Sequence, residues 1–226
     1  MRILNGPCGR LLLLLSAIPT CVLATPMATP VFINEFHYDN AGADVGEFIE
    51  LAGPAGTDLN GWQLVLYNGL DGRSYRAVSL SGVLGDVTGS GFGFQVINFS
   101  TNGLQNGAPD GMALIDAFGG VQEFLSYEGS LIALDGPALG LASRDVGVSE
   151  SATTPPGASL QRTGQGSLAE DFIWQAAVLA TPGAGNPGQR LAPLPVNLAL
   201  GGAWPLWLTG LAWLSLRRCH RQVARS

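Results

Sequence analysis

The 226-residue chain contains no lysine, and its three cysteines, Cys8, Cys21 and Cys219, all lie near its ends. The region from Thr25 to Gln189 therefore has no disulfide framework, no thiolate metal site and no cysteine nucleophile. Cations are almost as scarce there. Arg73, Arg76, Arg144 and Arg162 stand against all seventeen Asp and Glu residues, a balance of −13 that the −6 of the whole chain conceals. Such a surface repels nucleic-acid backbones and suits cations, basic partners or plain solubility. His37 is the only histidine of this region, since His220 lies in the basic tail. A sustained helical period is also missing. No stretch between residues 30 and 190 repeats its apolar residues every 3.6 positions over three turns.

The ends are what the middle is not. Arg2 and Arg10 precede an apolar run, Leu11–Leu15 and Ala17–Leu23, with Val22 and Ala24 at the small-residue positions. That order is a secretory signal, expected to span residues 1–24 and to be cut by signal peptidase after Ala24, with 25–30 as a short linker. At the other end Val196–Leu216 holds no charge and is long enough, at about 20 residues, to cross a bilayer as a helix. The basic tail 217–226, beginning Arg217-Arg218, should stay cytoplasmic.

The body reads as all-β. Val31–Tyr38, Glu47–Leu51, Trp62–Tyr67, Phe92–Phe99, Gly111–Asp116 and Val121–Tyr127 have strand length and composition. Asn60-Gly61, Asp71-Gly72, Asn102-Gly103, Asn106-Gly107 and Asp110-Gly111 supply turns between them. Short strands broken by such turns predict a sandwich or barrel. Residues 134–158 read as a long loop over one edge, and 182–195 as a stiff Pro-rich linker.

Two stretches carry more than pattern. One runs Ile33-Asn34-Glu35-Phe36-His37-Tyr38-Asp39-Asn40, then Glu47-Phe48-Ile49-Glu50-Leu51 and Leu59-Asn60-Gly61-Trp62. The other is Ser159-Leu160-Gln161-Arg162, Asp171-Phe172-Ile173-Trp174 and Thr181-Pro182-Gly183-Ala184-Gly185-Asn186. The pair resembles the bacterial secreted branch of the lamin-tail domain family over residues 31–187, most closely at its two ends. The resemblance implies an immunoglobulin-like β-sandwich, flanked here by the signal peptide and the C-terminal transmembrane helix. Further on, Ala192-Pro193-Leu194-Pro195, one apolar span and a terminal Arg cluster resemble the PEP-CTERM class of sorting signals. Ala192 stands where its Val-Pro-Leu-Pro-Ala variant has Val, and Val196 where it has Ala. That resemblance implies processing by an exosortase at a sorting motif within 188–195, built on Pro193, Leu194, Pro195, Arg217 and Arg218. An ordinary membrane anchor is the alternative.

Glu35, Asp39, Asp44, Glu47 and Glu50 place five carboxylates within sixteen residues. Oxygen ligands at that density suit Ca²⁺, so Asp39, Asp44 and Glu47 are candidate ligands. The competing expectation is that Glu35 and Glu50 bond backbone groups or arginines. Arg162 is expected to pair with a carboxylate, with Glu35 and Glu50 as buried candidates. Trp62 and Trp174 read as core plugs, with a sugar-binding surface as the alternative. A hydrolase centred on His37 lacks a nucleophile and an oxyanion hole around it. No cofactor other than Ca²⁺ is implied. The sequence thus predicts an exported, non-enzymatic module at the cell surface or in the extracellular matrix, binding a protein or polysaccharide.

Overall fold

The computed structural model describes residues 30–192, apart from residues 88 and 108. The expected signal peptide, the Pro193-Leu194-Pro195 motif, the apolar span and Arg217-Arg218 lie outside the described residues. Among the described residues, no helix is long and apolar enough to cross a membrane.

The described chain is all-β. Its strands are β1 (Phe32–His37), β2 (Phe48–Pro54), β3 (Gln63–Asn68), β4 (Arg73–Ser79), β5 (Phe92–Asn98) and β6 (Asp110–Ile115). They continue with β7 (Val121–Tyr127), β8 (Arg144–Asp145), β9 (Ala158–Gly166), β10 (Phe172–Leu179) and β11 (Gln189–Leu191). One turn of 3-10 helix, Ala169–Asp171, precedes β10. The first sheet runs β10-β9-β1-β2-β5, with β11 added to β9, and the second runs β4-β3-β6-β7-β8.

Alternation puts the core between the sheets. Ile49 and Leu51 of β2 meet Leu64 and Leu66 of β3, Met112 and Leu114 of β6, and Leu125 and Tyr127 of β7. On β1 the register slips between Ile33 and Glu35, and this bulge turns both Ile33 and Phe36 into the core. Tyr38 stacks on Tyr127 with ring centroids 4.0 Å apart, and Trp174 meets Phe36 edge-on at 5.1 Å. Aromatic pairs of this kind add about 0.5–1.5 kcal/mol each beyond their buried area. The Leu-x-Gly-Trp corner is a tight turn in which Trp62 N–H donates to the Leu59 carbonyl at 3.0 Å. Its third residue, Gly61, has φ +83°, which a side chain would disfavour.

Both sheets are covered on their outer faces too. The segment 134–158, expected as a long loop over one edge, covers part of the outer face of the second sheet, where Ala138 joins Leu131 and Ala133 on Val65, Tyr67, Ala113 and Phe124. It then contributes β8 alongside β7. The segment expected as a linker also belongs to the fold. β1 pairs with only the first half of β9, leaving Gly164–Gly166 open on that side, and β11 pairs there in parallel. The Ala192 N–H donates to the Gly166 carbonyl at 2.8 Å, so the folded unit runs past residue 187 to Ala192. Residues 181–192 form a strap over the first sheet.

Candidate functional site

The strap is held by carboxylates. Gln161, Glu35 and Glu50 lie side by side on β9, β1 and β2, on the face turned away from the core, and all three are fully buried. Glu35 accepts hydrogen bonds from Ser159 Oγ (2.6 Å), Thr181 N (2.8 Å) and Thr181 Oγ1 (3.1 Å). Glu50 accepts from Asn34 Nδ2 (3.0 Å) and from Gly183 N (2.5 Å). Asn186 Nδ2 reaches the carbonyls of Asn34 (3.2 Å) and Arg162 (3.0 Å). Gln189 Nε2 completes the clamp on Asn34 Oδ1 at 2.6 Å. Burial pushes the Glu50 carboxyl up to about 8, against its bonds from Asn34 and Gly183, and the charge of Glu35 adds to the rise. The surroundings of Glu50 therefore favour its protonated form.

Arg162 pairs with neither Glu35 nor Glu50. It points into the sandwich, fully buried, and its Nη2 donates to Glu123 Oε1 of the opposite sheet at 2.5 Å. Its Nε donates to the Ile33 carbonyl (2.7 Å) and its Nη1 to the Ala169 carbonyl (2.5 Å). Glu123 Oε2 takes the Ile33 N–H at 2.7 Å, so the pair staples β1, β7 and β9. The guanidinium also lies 4.8 Å from the Trp174 ring and 5.4 Å from that of Phe32. Glu35 and Glu50 are reserved for backbone and side-chain donors on the other face of the sheet. Trp62 and Trp174 are half-buried against the core cluster.

The acidic turn divides its carboxylates. Both oxygens of Glu47 accept backbone N–H groups, from Gly103 (2.6 Å) and Leu104 (3.0 Å). Asp44 accepts Asn40 N (3.1 Å) and Asn106 Nδ2 (3.0 Å). Asp39 is partly exposed beside it; burial raises its carboxyl above the ordinary range, and the charge of Asp44 adds to this. Among the described residues no three acidic or histidine side chains are grouped to hold a metal ion.

His37 is buried at the end of β1. Its Nδ1 faces Glu150 (2.9 Å) and its Nε2 faces Asn40 Oδ1 (3.1 Å). Asn40 Nδ2 donates to the Ala41 and Ala43 carbonyls, which fixes Oδ1 as the acceptor. Both ring nitrogens thus face acceptors, the arrangement of an imidazolium. Burial opposes that charge, but Glu150 and Asn40 outweigh it and raise the His37 pKa. Glu150 also accepts the Tyr38 and Asp39 N–H groups at 2.7 and 3.0 Å. With the ring buried and both nitrogens engaged by Glu150 and Asn40, neither nitrogen is open to a substrate.

Sequence reasoning missed Glu123 and Glu150. Glu123 had a signal: it stands in phase with Leu125 and Tyr127, the residues of β7 that face the core. Glu150 lies outside any strand, where no periodicity marks it.

No protein-family model, curated protein or solved structure matches the chain.

Proposed function

We propose that this chain is an exported, non-enzymatic binding and structural module of lamin-tail type, with an immunoglobulin-like sandwich. One observation carries the reading. The two distant stretches that resemble that family converge on one clamp, Thr181, Gly183 and Asn186 on Asn34, Glu35 and Glu50. Their separation in sequence and contact in space are what a single domain signature requires. The polar groups that suggest catalysis have structural partners, His37 with Glu150 and Glu47 with the 103–104 backbone. Display at the surface or in the matrix, after sorting by an exosortase-type enzyme, is the proposal for the C-terminal segment.

The deciding experiment is the intact mass and cell fraction of the protein made in its own host. A mass ending near Pro195, recovered from the surface or medium, supports delivery as a matrix component. A mass running to Ser226 in the membrane fraction replaces it with a permanently anchored ectodomain. Turnover of phosphodiesters, peptides or glycosides at a defined rate by the purified protein would overturn the non-enzymatic reading.

A further inference from the structure

We propose that the cleft between the acidic turn, the β3–β4 hairpin and the β5–β6 connection binds a neutral saccharide. It has a volume of about 570 Å³ and is lined by Asn68, Asn102, Gln105, Asn106, Asp44 and Asp110, with Leu70 beside them. That volume falls within the roughly 300–1,000 Å³ usual for small-molecule sites.

The chemistry of the lining selects the ligand. Asn68 Oδ1 accepts the Leu70 N–H at 2.8 Å, which orients the amide and leaves Nδ2 unpartnered among the described residues. Asn102 Oδ1 accepts the Asp44 N–H at 3.3 Å and likewise leaves its Nδ2. Asn106 is held the opposite way, Nδ2 donating to Asp44 Oδ2 at 3.0 Å, so its oxygen remains. Asp110 Oδ1 takes the Gly69 N–H at 3.0 Å. Each of these three asparagine amides is fixed at one end and open at the other. Asn102 holds a left-handed backbone, φ +54°, a conformation in which asparagine is enriched among side-chain-bearing residues.

The cleft therefore presents fixed donors and fixed acceptors together. A hydroxyl both donates and accepts, whereas a carboxylate or phosphate only accepts and an ammonium only donates. Asp44 and Asp110 repel anions, and among the described residues none lining the cleft is cationic. Leu70, 92% exposed on the hairpin, offers an apolar surface for the C–H side of a sugar ring.

This names the ligand class of the proposed binding module and rests on that reading. Localisation decides the one and titration the other. The ¹⁵N-labelled full-length chain would be titrated with neutral hexasaccharides of glucose, mannose, galactose and N-acetylglucosamine, beside spermidine and polygalacturonate. The expected result is that a neutral hexasaccharide shifts the side-chain amide resonances of Asn68, Asn102, Gln105 and Asn106. Asn68→Asp and Asn102→Asp keep the oxygen that accepts the backbone and remove the open donor; Gln105→Ala removes an amide without adding charge. Each should weaken binding about 3- to 10-fold, the effect of one hydrogen bond, with the melting midpoint unchanged. Silence of these resonances with every neutral hexasaccharide overturns the proposal. So does tighter binding of spermidine or polygalacturonate at the same amides, or unaltered affinity in all three variants.

Discussion

Glu35 and Glu50 stand directly opposite each other on β1 and β2, both fully buried beneath the strap. Two carboxylates so placed cannot both ionise cheaply, and the Glu50 carboxyl rises from 4.5 to about 8, first through burial and then through the charge of Glu35. The folded state therefore binds one more proton than the unfolded chain between those values. Stability from this group is fully present below 4.5 and is lost as pH rises through about 8. One such proton gives a slope of about 1.4 kcal/mol per pH unit. Urea titrations at pH 5, 7 and 9 should show a fall, and Glu50→Gln should make it shallower, because Gln stays neutral throughout and leaves only the part due to His37. An equal slope in the variant would assign the pH dependence elsewhere.

The Arg162–Glu123 pair makes a second prediction by contrast. Glu123→Ala leaves a buried guanidinium facing an empty site and strips the Ile33 N–H of its acceptor. Breaking one side of a buried pair costs about 3–5 kcal/mol. Arg144 lies 3.6 Å from the same carboxylate but is largely exposed, so Arg144→Ala should cost about 0–1 kcal/mol. Denaturant midpoints of the two variants measure the difference. Similar losses would mean that burial is not what gives the Arg162 pair its weight.

These residues mark what sequence could and could not reveal. Strands buried on both faces were legible as short apolar runs bounded by turn residues, as in Leu64–Tyr67 of β3. β4 was not, because Arg73–Ser79 is an edge strand whose two core-packed residues, Tyr75 and Val78, stand three apart and so show no alternation. The Thr181–Asn186 part of the strap is legible through the lamin-tail resemblance, but composition alone makes 182–195 a linker, because the carboxylates that hold it lie about 130 to 150 residues earlier in the chain. Long-range polar pairing leaves no local period. That is also why Arg162 could be expected to find a carboxylate but not the right one.

His37 gives a third test. Its pKa is raised above 6.5 because Glu150 and Asn40 outweigh burial, so the ion pair stabilises the fold fully below 6.5 and weakens as pH climbs through the folded value. An NMR titration of the imidazole should give a midpoint above 6.5. Glu150→Gln should move that midpoint down, since burial then meets less opposition, and should cost about 1–3 kcal/mol by removing the charged partner of His37, because the amide oxygen can still accept the Tyr38 and Asp39 N–H groups. A midpoint unmoved in the variant would remove Glu150 as its cause.

Calcium separates the structural use of the acidic turn from a binding one. A ligand that binds only the native state must stabilise it; at about 2 mM and a dissociation constant near 10 μM the gain would be about 3 kcal/mol, several degrees in melting midpoint. Glu47, however, is turned to the Gly103 and Leu104 N–H groups, donors that a cation would have to displace. Asp44 is likewise committed to Asn40 and Asn106. The melting midpoint should therefore be the same in calcium and in chelator. A rise in calcium that Asp39→Asn abolishes would instead mean that Asp39 and Asp44 recruit the ion with backbone carbonyls, and that these hydrogen bonds give way to it.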